Sequence, residues 1–401
     1  MKQDMSGPLN IQVERRGPAG PEDAPPPDYS LDRAVGDIGA YDHAVFLDLI
    51  DTNLSPEQSG RVAGPWQVLP RQKEVLAVHW HPEWIPLELI ARRVSGTFPE
   101  SRKNLVIPTQ HNELMVWGDY AGVEMDCYSS GFNRKVQLLL HFKASRLAGA
   151  GALRSMLAQT LKYRSSQLFE FMDSIVLPQC EDRMAQAVAE TGASEEVAAL
   201  ARFYTARLRK MFRDHETEIP PIMIKNKLVL EFIQSQRRRH PQALINRALL
   251  LVRSVKEIVK RNFSLEHFFR ASEVIEEARA WGGGVVIPHP EQFWPILLAD
   301  YDVDGWEVWN PESQEYTKFL IGALNTQNRI PRSGRKKLLV FMGDDTHMSV
   351  KIRDPGSQEP GRLEREVGLQ PAWEDMGIRE KLRSVGASRL QTIEEYLERL
   401  G

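Results

Sequence analysis

Cysteine is scarce in this sequence of 401 residues, which contains only Cys127 and Cys180. Two cysteines cannot form a disulfide framework, and the lack of closely spaced pairs argues against a structural zinc finger. Long apolar runs are also missing, since the longest, at 248–252 and 338–342, fall far short of the ~18 residues that span a bilayer. The first residues contain no apolar signal-peptide region. We therefore expect a cytoplasmic protein with no membrane partner.

A strong excess of one charge is absent as well. The 51 Lys and Arg residues nearly balance the 54 Asp and Glu residues, which leaves a formal net charge of -3. This balance predicts neither nucleic-acid nor membrane binding by the chain as a whole. Hydrophobic residues make up 42% and charged residues 26%, so collagen-like and wholly disordered classes are excluded.

The length predicts one large domain or two to three smaller ones. Residues 1–40, which include GPAGPEDAPPP, have few large apolar groups, and we expect a flexible Pro-rich tail there. Residues 41–355 are expected to form the globular body. Residues 356–401 are expected to form a C-terminal loop and an exposed amphipathic helix.

Short apolar runs recur between residues 74 and 347, and each ends in polar residues able to bind metal or transfer protons. The seven runs are 74–81, 104–111, 121–128, 136–142, 283–290, 305–311 and 337–347. Their weak alternation indicates burial on both faces, which is typical of a parallel sheet or barrel. Helical patterns lie between several of them. The order predicts an α/β fold built from a βα repeat.

A long helical insertion at 145–280 interrupts this repeat. Its segment 201–270 contains 16 Lys or Arg and only 6 Asp or Glu. Such a basic segment either presents a solvated helix face, follows a nucleic-acid backbone or covers an active site that takes an anionic substrate.

Histidine placement is the strongest chemical signal. Six of the ten histidines lie at or beside the ends of predicted strands, the edge where α/β folds place their active sites. His79 and His81 are two residues apart on a strand, so both side chains leave the same face and can share an ion. Asp345 and His347 repeat that spacing, and Glu124 can bridge two metals. Imidazole with carboxylate suits Zn, Mn or Fe.

The ordered series HWH, TQH, GVE, LLLHF, IPHP and GDDTH resembles the PHP family, the polymerase and histidinol phosphatase domain. The resemblance extends over about 74–350. It implies the family's distorted seven-stranded β/α (TIM-like) barrel, here with a long helical insertion, and a site for two to three divalent metal ions.

The family's metal ligands correspond to nine positions of this sequence. They are His79, His81, Glu88, His111, Glu124, His141, His289, Asp345 and His347. The resemblance implies one metal on His79, His81, Glu124 and Asp345, a second on Glu124, His141 and His289, and a third on Glu88, His111 and His347. Position 88 departs from the family's usual His or Asp, and the nearby Glu83 is an alternative because the loop length varies.

The function expected from this resemblance is hydrolysis of a phosphomonoester or nucleotide-type substrate. Hydroxide generated at a di- or trinuclear site would be the nucleophile. His289 or His347 is the candidate catalytic acid for the leaving group, although a ligating nitrogen cannot also shuttle a proton. Glu307 and Asn310 follow the sixth run and are expected either to support the site or to be structural.

Cations near the predicted strand ends are candidates for binding the substrate phosphate. They are Arg134, Lys135 and Lys143, followed by Arg332 and Arg335 before the last strand. A solvated loop is the competing interpretation for each of them.

Two alternative functions remain open on the sequence alone. One is a nuclease or phosphodiesterase that grips nucleic acid through the basic segment 201–270. The other is a metal-binding scaffold without turnover. The sequence leaves the oligomeric state unknown.

Overall fold

The structure is a computed structural model that describes residues 29–330, 334, 336–353 and 360–401. Most of the expected Pro-rich tail, residues 1–28, lies outside the described residues, as do Arg332, Arg335 and the start of the expected C-terminal loop at 356–359.

Ten strands form the β structure of the described residues. They are β1 (Glu74–Ala77), β2 (Trp80–His81), β3 (Lys103–Val106), β4 (Met115–Trp117), β5 (Tyr120–Ser129), β6 (Arg134–Lys143), β7 (Gly284–Ile287), β8 (Gly305–Trp309), β9 (Leu339–Met342) and β10 (Thr346–His347). Six of them form one sheet in the order β4-β5-β6-β7-β8-β9. β1 pairs with β3 and β10 with β2, each in a separate parallel two-stranded ladder.

The expected seven-stranded TIM-like barrel is therefore wrong for the described residues, although the α/β class is confirmed. The main sheet is mixed and open. β4, β5, β6 and β7 pair in antiparallel fashion, whereas β7, β8 and β9 are parallel. The two longest strands, β5 and β6, form a hairpin. Both are buried through most of their length, because the protein covers both faces of this sheet. Burial on both faces is typical of parallel strands, but in β5 and β6 it accompanies antiparallel pairing.

Fourteen α-helices surround the strands in the described residues. They are α1 (Leu31–Gly36), α2 (Ala40–Ile50), α3 (Pro56–Ala63), α4 (Leu87–Thr97), α5 (Gly151–Val176), α6 (Glu181–Thr191), α7 (Glu195–Asp214), α8 (Lys227–Ser235), α9 (Gln242–Asn262), α10 (Ala271–Ala280), α11 (Thr317–Arg329), α12 (Pro360–Leu363), α13 (Met376–Ser384) and α14 (Arg389–Leu400). None of these helices has both the length and the apolar character needed to cross a membrane.

Local sequence determines several of the helix ends. The hydroxyl of Ser194 accepts a hydrogen bond from the backbone N–H of Val197 and caps α7. Ser55 and Gln58 form a reciprocal capping box at the start of α3. α6 ends at Gly192, whose φ of 61° suits a residue without a side chain.

The inserted helices build a hydrophobic core of their own. Side chains of α5 to α9, such as Phe171, Leu200 and Val252, are fully buried together. Phe46 of α2 joins the same core, so a helix from the beginning of the described chain packs against the insertion. The sheet has a separate core, to which α10, α11, α13 and α14 contribute.

The C-terminal helix α14 was expected to be exposed and instead packs against the sheet. Ile393, Tyr396 and Leu400 are fully buried. A Cβ at Gly284 on β7 would lie 2.3 Å from the Tyr396 hydroxyl, so a side chain at that position would displace the helix. The apolar face of this amphipathic helix covers the sheet.

Candidate metal centre

Pairing between the two shortest strands brings His81 and His347 together. β2 and β10 are parallel, and His347 is the register partner of His81. Side chains at paired positions of adjacent strands project from the same face. The two imidazole rings accordingly stack, with centroids 4.3 Å apart.

His79 lies on the same face as His81, as the two-residue spacing predicted. Their ring centroids are 5.4 Å apart. The Nδ1 of His79 is 2.8 Å from Oε1 of Glu307, which leaves its Nε2 directed toward the cluster, 3.6 Å from Oδ1 of Asp345. A carboxylate on one ring nitrogen fixes the tautomer and orients the other nitrogen as a ligand.

Glu124 stands at the centre of the arrangement. Its backbone N–H donates to the carbonyl of Gln110, and its own carbonyl accepts from Asn112, so the residue between them, His111, is held beside it. The Nδ1 of His111 lies 2.8 Å from Oε2 of Glu124, and the Nε2 of His81 lies 3.5 Å from the same oxygen.

His289 and Asp345 complete the arrangement from two loops that follow strands of the main sheet. The Nε2 of His289 is 3.4 Å from Oε1 of Glu124. Oδ1 of Asp345 is 3.2 Å from the Nε2 of His81 and 3.6 Å from the Nε2 of His347. The backbone N–H of Asp345 donates to the carbonyl of His79, which ties the last loop to the first histidine.

Potential ligand atoms converge in three overlapping groups, within each of which they lie within 4.8 Å of one another. The groups are His81, His111 and His347; His79, Glu124 and His289; and His79, His81 and Asp345. We call these seven residues the strand-end cluster. Each group provides at least three atoms of the kinds that Zn, Mn or Fe accept.

Unusual backbone conformations concentrate at the cluster. Among the described residues, five non-glycine residues have positive φ, and four of them belong to the cluster or adjoin it: Glu83, Asn112, His289 and Asp345. Such conformations cost of order 1–3 kcal/mol each when non-glycine residues adopt them. At His289 and Asp345 this backbone conformation accompanies side chains that reach the shared centre.

Buried polar atoms without hydrogen bonds indicate that the cluster fits metal ions. The Nε2 atoms of His79 and His81 and Oε1 of Glu124 are buried and have no hydrogen-bond partner among the described residues. Leaving such atoms unpaired costs roughly 1–3 kcal/mol for each group. Coordination to a divalent ion would satisfy all three.

The charges of the cluster are strongly coupled. Burial alone would lower the pKa of His79, but the carboxylates of Glu307, Asp345 and Glu124 raise it well above 6.5. Burial and the neighbouring imidazoles of His111 and His347 lower the pKa of His81 to about 3. Histidine cations thus compensate the buried carboxylates in the metal-free protein. Metal ions would take over this role and release protons.

Two further histidines show the same balance. Burial lowers the pKa of His111 and that of His289, but Glu124 outweighs this effect and raises both. The pKa of Glu124 itself is held well below its ordinary value, because the nearby imidazoles overcome the effect of burial.

His141, an expected ligand of the second metal, is not part of the cluster. Its Nδ1 is 2.7 Å from the Tyr396 hydroxyl, and its Nε2 is 2.9 Å from the carbonyl of Val78, so protein groups engage both nitrogens. Burial lowers its pKa to about 4, and the ring is neutral. β6 is antiparallel to β7, and His141 pairs with Gly284 at the start of β7, whereas the cluster lies beyond the other end of β7. His79 takes the place expected for His141 in the group with Glu124 and His289.

Glu88, the least certain of the expected ligands, lies apart from the three groups. It is exposed in the first turn of α4. Glu83 is the acidic residue that reaches the site: its Oε1 is 3.7 Å from the Nδ1 of His347 and 3.1 Å from Nζ of Lys225. The other oxygen accepts from the backbone N–H of Ser349.

The three expected phosphate-binding cations do not share one location. Arg134 is an exposed residue at the first position of β6. Lys135 is paired with the buried carboxylate of Asp126 at 2.6 Å. Lys143 is the last residue of β6 and pairs with Tyr120 at the start of β5. Because β6 runs antiparallel to β5, Lys143 lies at the end of this hairpin away from the cluster.

Glu307 and Asn310 support the cluster. One oxygen of Glu307 contacts His79, and the other accepts from the backbone N–H of His289 at 2.8 Å. Asn310 lies within 3.5 Å of both Glu307 and Asp345. A Cβ at Gly343 would lie 1.7 Å from the Glu307 carboxylate, so a glycine there leaves room for this contact.

The cluster opens into a cavity of about 510 Å³ that the inserted helices help to enclose. Glu83, His111, Asp345 and His347 line one part of it. Residues of α5, α9 and the segment 221–227 line another part, including Lys256 and Lys260. The sequence indicated a basic insertion but not which of its cations reach the site.

No protein-family model matches the sequence, and no curated protein matches it. Among solved structures, the protein is similar to one from Bifidobacterium adolescentis named a "putative metal-dependent phosphoesterase". The identity is 15% and the TM-score 0.33, over 78% of this chain and 96% of the other. At that degree of similarity, the geometry of the site is the better guide to function.

Proposed function

We propose that this protein is a metal-dependent phosphoesterase that acts on a phosphorylated small molecule or nucleotide. The observation that carries the proposal is the strand-end cluster itself: buried imidazoles and carboxylates, with unpaired ligand atoms, converge at the edge of a cavity. Structural histidines in a core are hydrogen-bonded, as His141 is.

Two to three divalent ions, of Zn, Mn or Fe, would be held by the seven residues of the cluster. His79 would ligate one ion only, because its Nδ1 contacts Glu307 and its Nε2 has a single lone pair. Glu83, on the cavity side of His347, would be a further ligand in place of Glu88. Bound divalent ions activate water at neutral pH and neutralise charge that develops on phosphate oxygens.

The protein's own residues would position the reacting groups. Glu307 holds His79 in one tautomer and fixes the backbone of His289. His347 is partly exposed in the cavity, whereas His289 is almost fully buried. Of the two expected catalytic acids, His347 is the one that lines the cavity, and it can transfer a proton to a leaving group only when it is not itself a metal ligand.

The cavity favours a small substrate. A volume of about 510 Å³ falls within the range of ordinary small-molecule sites, roughly 300–1,000 Å³. Nuclease activity and metal binding without turnover are the alternative outcomes of the experiment that follows.

The experiment measures hydrolysis of an aryl phosphate by the full chain with Mn or Zn present, together with the metal content of the protein. We expect metal-dependent turnover, and we expect His79→Ala with His81→Ala to reduce it by more than about 100-fold and to remove metal. The control is His267→Ala, which removes an exposed histidine of the insertion outside the cluster. Cleavage of a single-stranded oligonucleotide but not of the aryl phosphate would favour the nuclease. Bound metal without hydrolysis of either would favour the scaffold.

A further inference from the structure

The inserted helices place cations on the cavity wall that the metal chemistry does not require. Lys256 and Lys260 are one turn apart on α9, so their side chains share a face of the helix, and both line the cavity. Arg164 of α5 lines the same cavity. The cluster residues Asp345 and His347 line it as well, so a single ligand can contact both regions.

The carboxylates on this wall are fewer than the cations. Oε1 of Glu257 is 3.1 Å from Nζ of Lys260 and 3.7 Å from Nζ of Lys256, so one carboxylate oxygen serves two ammonium groups. Asp126 is shared in the same way, by Lys135 and Arg164. Each shared carboxylate leaves one positive charge uncompensated.

The side chains that line the cavity also carry more positive than negative charge. Among the described residues, seven Lys or Arg side chains and four Asp or Glu side chains line the cavity. Two of those four, Glu83 and Asp345, are proposed to hold metal. Burial and the neighbouring Lys260 lower the pKa of Lys256, which agrees with crowding of positive charge on this wall.

We infer that the insertion forms a second anion site, and that the substrate is a small molecule carrying two phosphate groups. One phosphate would lie at the strand-end cluster, where it is hydrolysed. The other would lie against Lys256 and Lys260 and would set the specificity. This inference rests on the proposed function, but it assigns a role to the insertion that the cluster alone does not imply.

The test uses non-hydrolysable probes, so that binding is measured apart from turnover. The dissociation constants of α,ω-alkane bisphosphonates of increasing chain length are compared with those of the matching alkyl monophosphonates, by calorimetry on the metal-loaded full chain. We expect at least one bisphosphonate to bind about tenfold more tightly than its monophosphonate. Lys256→Gln with Lys260→Gln should abolish this advantage and leave monophosphonate binding unchanged.

A matched control removes the same charge from the same insertion but outside the cavity lining. Arg238→Gln with Arg253→Gln changes two exposed residues that do not line the cavity. We expect this variant to keep the full bisphosphonate advantage, because a local site and not the overall field of the insertion provides it. Circular dichroism and thermal unfolding of both variants establish that they are folded.

Three results would overturn the inference. One is equal affinity for the two probe types at every chain length. Another is an advantage that survives in the Lys256 and Lys260 variant. The last is a single-stranded oligonucleotide that binds more tightly than any bisphosphonate and is weakened equally by both variants, which would assign the basic charge to nucleic acid. Failure of the proposed function would appear as a lack of metal-dependent aryl phosphatase activity, which is measured separately from probe binding, so the two failures are distinguishable.

Discussion

Two buried carboxylates, one on the helix α2 that packs against the inserted helices and one in the strand-end cluster, have opposite surroundings. Asp42 of α2 is fully buried, and both its oxygens accept hydrogen bonds, from Arg207 on one side and from Gln236 and Arg239 on the other. Glu124 is equally buried, but its Oε1 has no hydrogen-bond partner and its neighbours are imidazoles with unpaired nitrogens.

This difference separates a structural ion pair from a ligand site. The protein completes the surroundings of Asp42 with its own donors, so the pair serves the fold. Around Glu124 lie side chains that can bind metal, and the Nε2 atoms of His79 and His81 have no hydrogen-bond partner among the described residues. Converging unsatisfied atoms are the sign of a group that binds from outside the chain.

The sharpest test exchanges the two carboxylates for amides. Asp42→Asn would leave the Arg207 guanidinium buried without its counter-charge, and we expect it to lower the free energy of unfolding by about 3–5 kcal/mol while metal content is unchanged. Glu124→Gln should leave the Asp42 ion pair intact and act on metal binding, with metal affinity falling by more than about 100-fold. Chemical denaturation and elemental analysis of both variants check this. Equal effects of the two substitutions on metal content would refute the distinction.

The next largest effect on metal binding is expected at Glu307, which contacts His79 but is not one of the seven residues of the strand-end cluster. Glu307→Gln should weaken metal binding by about 10- to 100-fold, since His79 loses the carboxylate that fixes its tautomer. Competition with a chelator measures the affinity. Glu312→Gln is a suitable control, because Glu312 also lines the cavity but pairs with Arg365. An unchanged affinity in Glu307→Gln would assign that residue a purely structural role.

The pH dependence of metal binding should reflect the raised pKa values of three histidines. The pKa values of His79, His111 and His289 lie above 6.5 in the metal-free protein, so each is protonated at lower pH and must lose its proton to bind an ion. Affinity should therefore increase as pH rises above about 6.5, by roughly tenfold per unit for each proton displaced. Titrations across this range, with proton release measured in two buffers, provide the check. Affinity independent of pH would contradict the assignment of these side chains as ligands.

The smallest effects are expected at the two sequence-predicted ligands that lie outside the cluster. His141→Gln should leave the metal content unchanged and lower stability by roughly 1–3 kcal/mol, because it disturbs buried contacts with Tyr396 and the Val78 carbonyl. Glu88→Ala should change neither property, whereas Glu83→Ala should weaken one metal site. Loss of a metal in His141→Gln would show that the ring rearranges to become a ligand.

The cluster could be anticipated from the sequence because its signals are local. The spacing of His79 and His81, and of Asp345 and His347, places each pair on one face whatever the strand order. The locations of His141 and Lys143 outside the cluster depend on strand direction. The hairpin of β5 and β6 reverses that direction, and strand composition does not reveal it. Apolar runs likewise indicated strands but not whether the sheet closes.

The role of the insertion required three-dimensional information. Its surplus of positive charge is plain in the sequence. The same composition, however, fits a solvated helix face, a nucleic-acid binding surface or a cover over the active site. Only the packing of α5 and α9 beside the cluster shows that Lys256 and Lys260 face the same cavity as His347, whereas Arg238 and Arg253 do not.

Anomalous diffraction at the Zn or Mn absorption edge from metal-loaded crystals shows directly whether the strand-end cluster holds divalent ions. If it does, we expect two or three peaks at coordination distance, roughly 2.0–2.3 Å, from the ligand atoms of His79, His81, Glu124 and Asp345 and their neighbours. An absence of peaks at these side chains, or ions bound only elsewhere on the protein, would contradict this expectation.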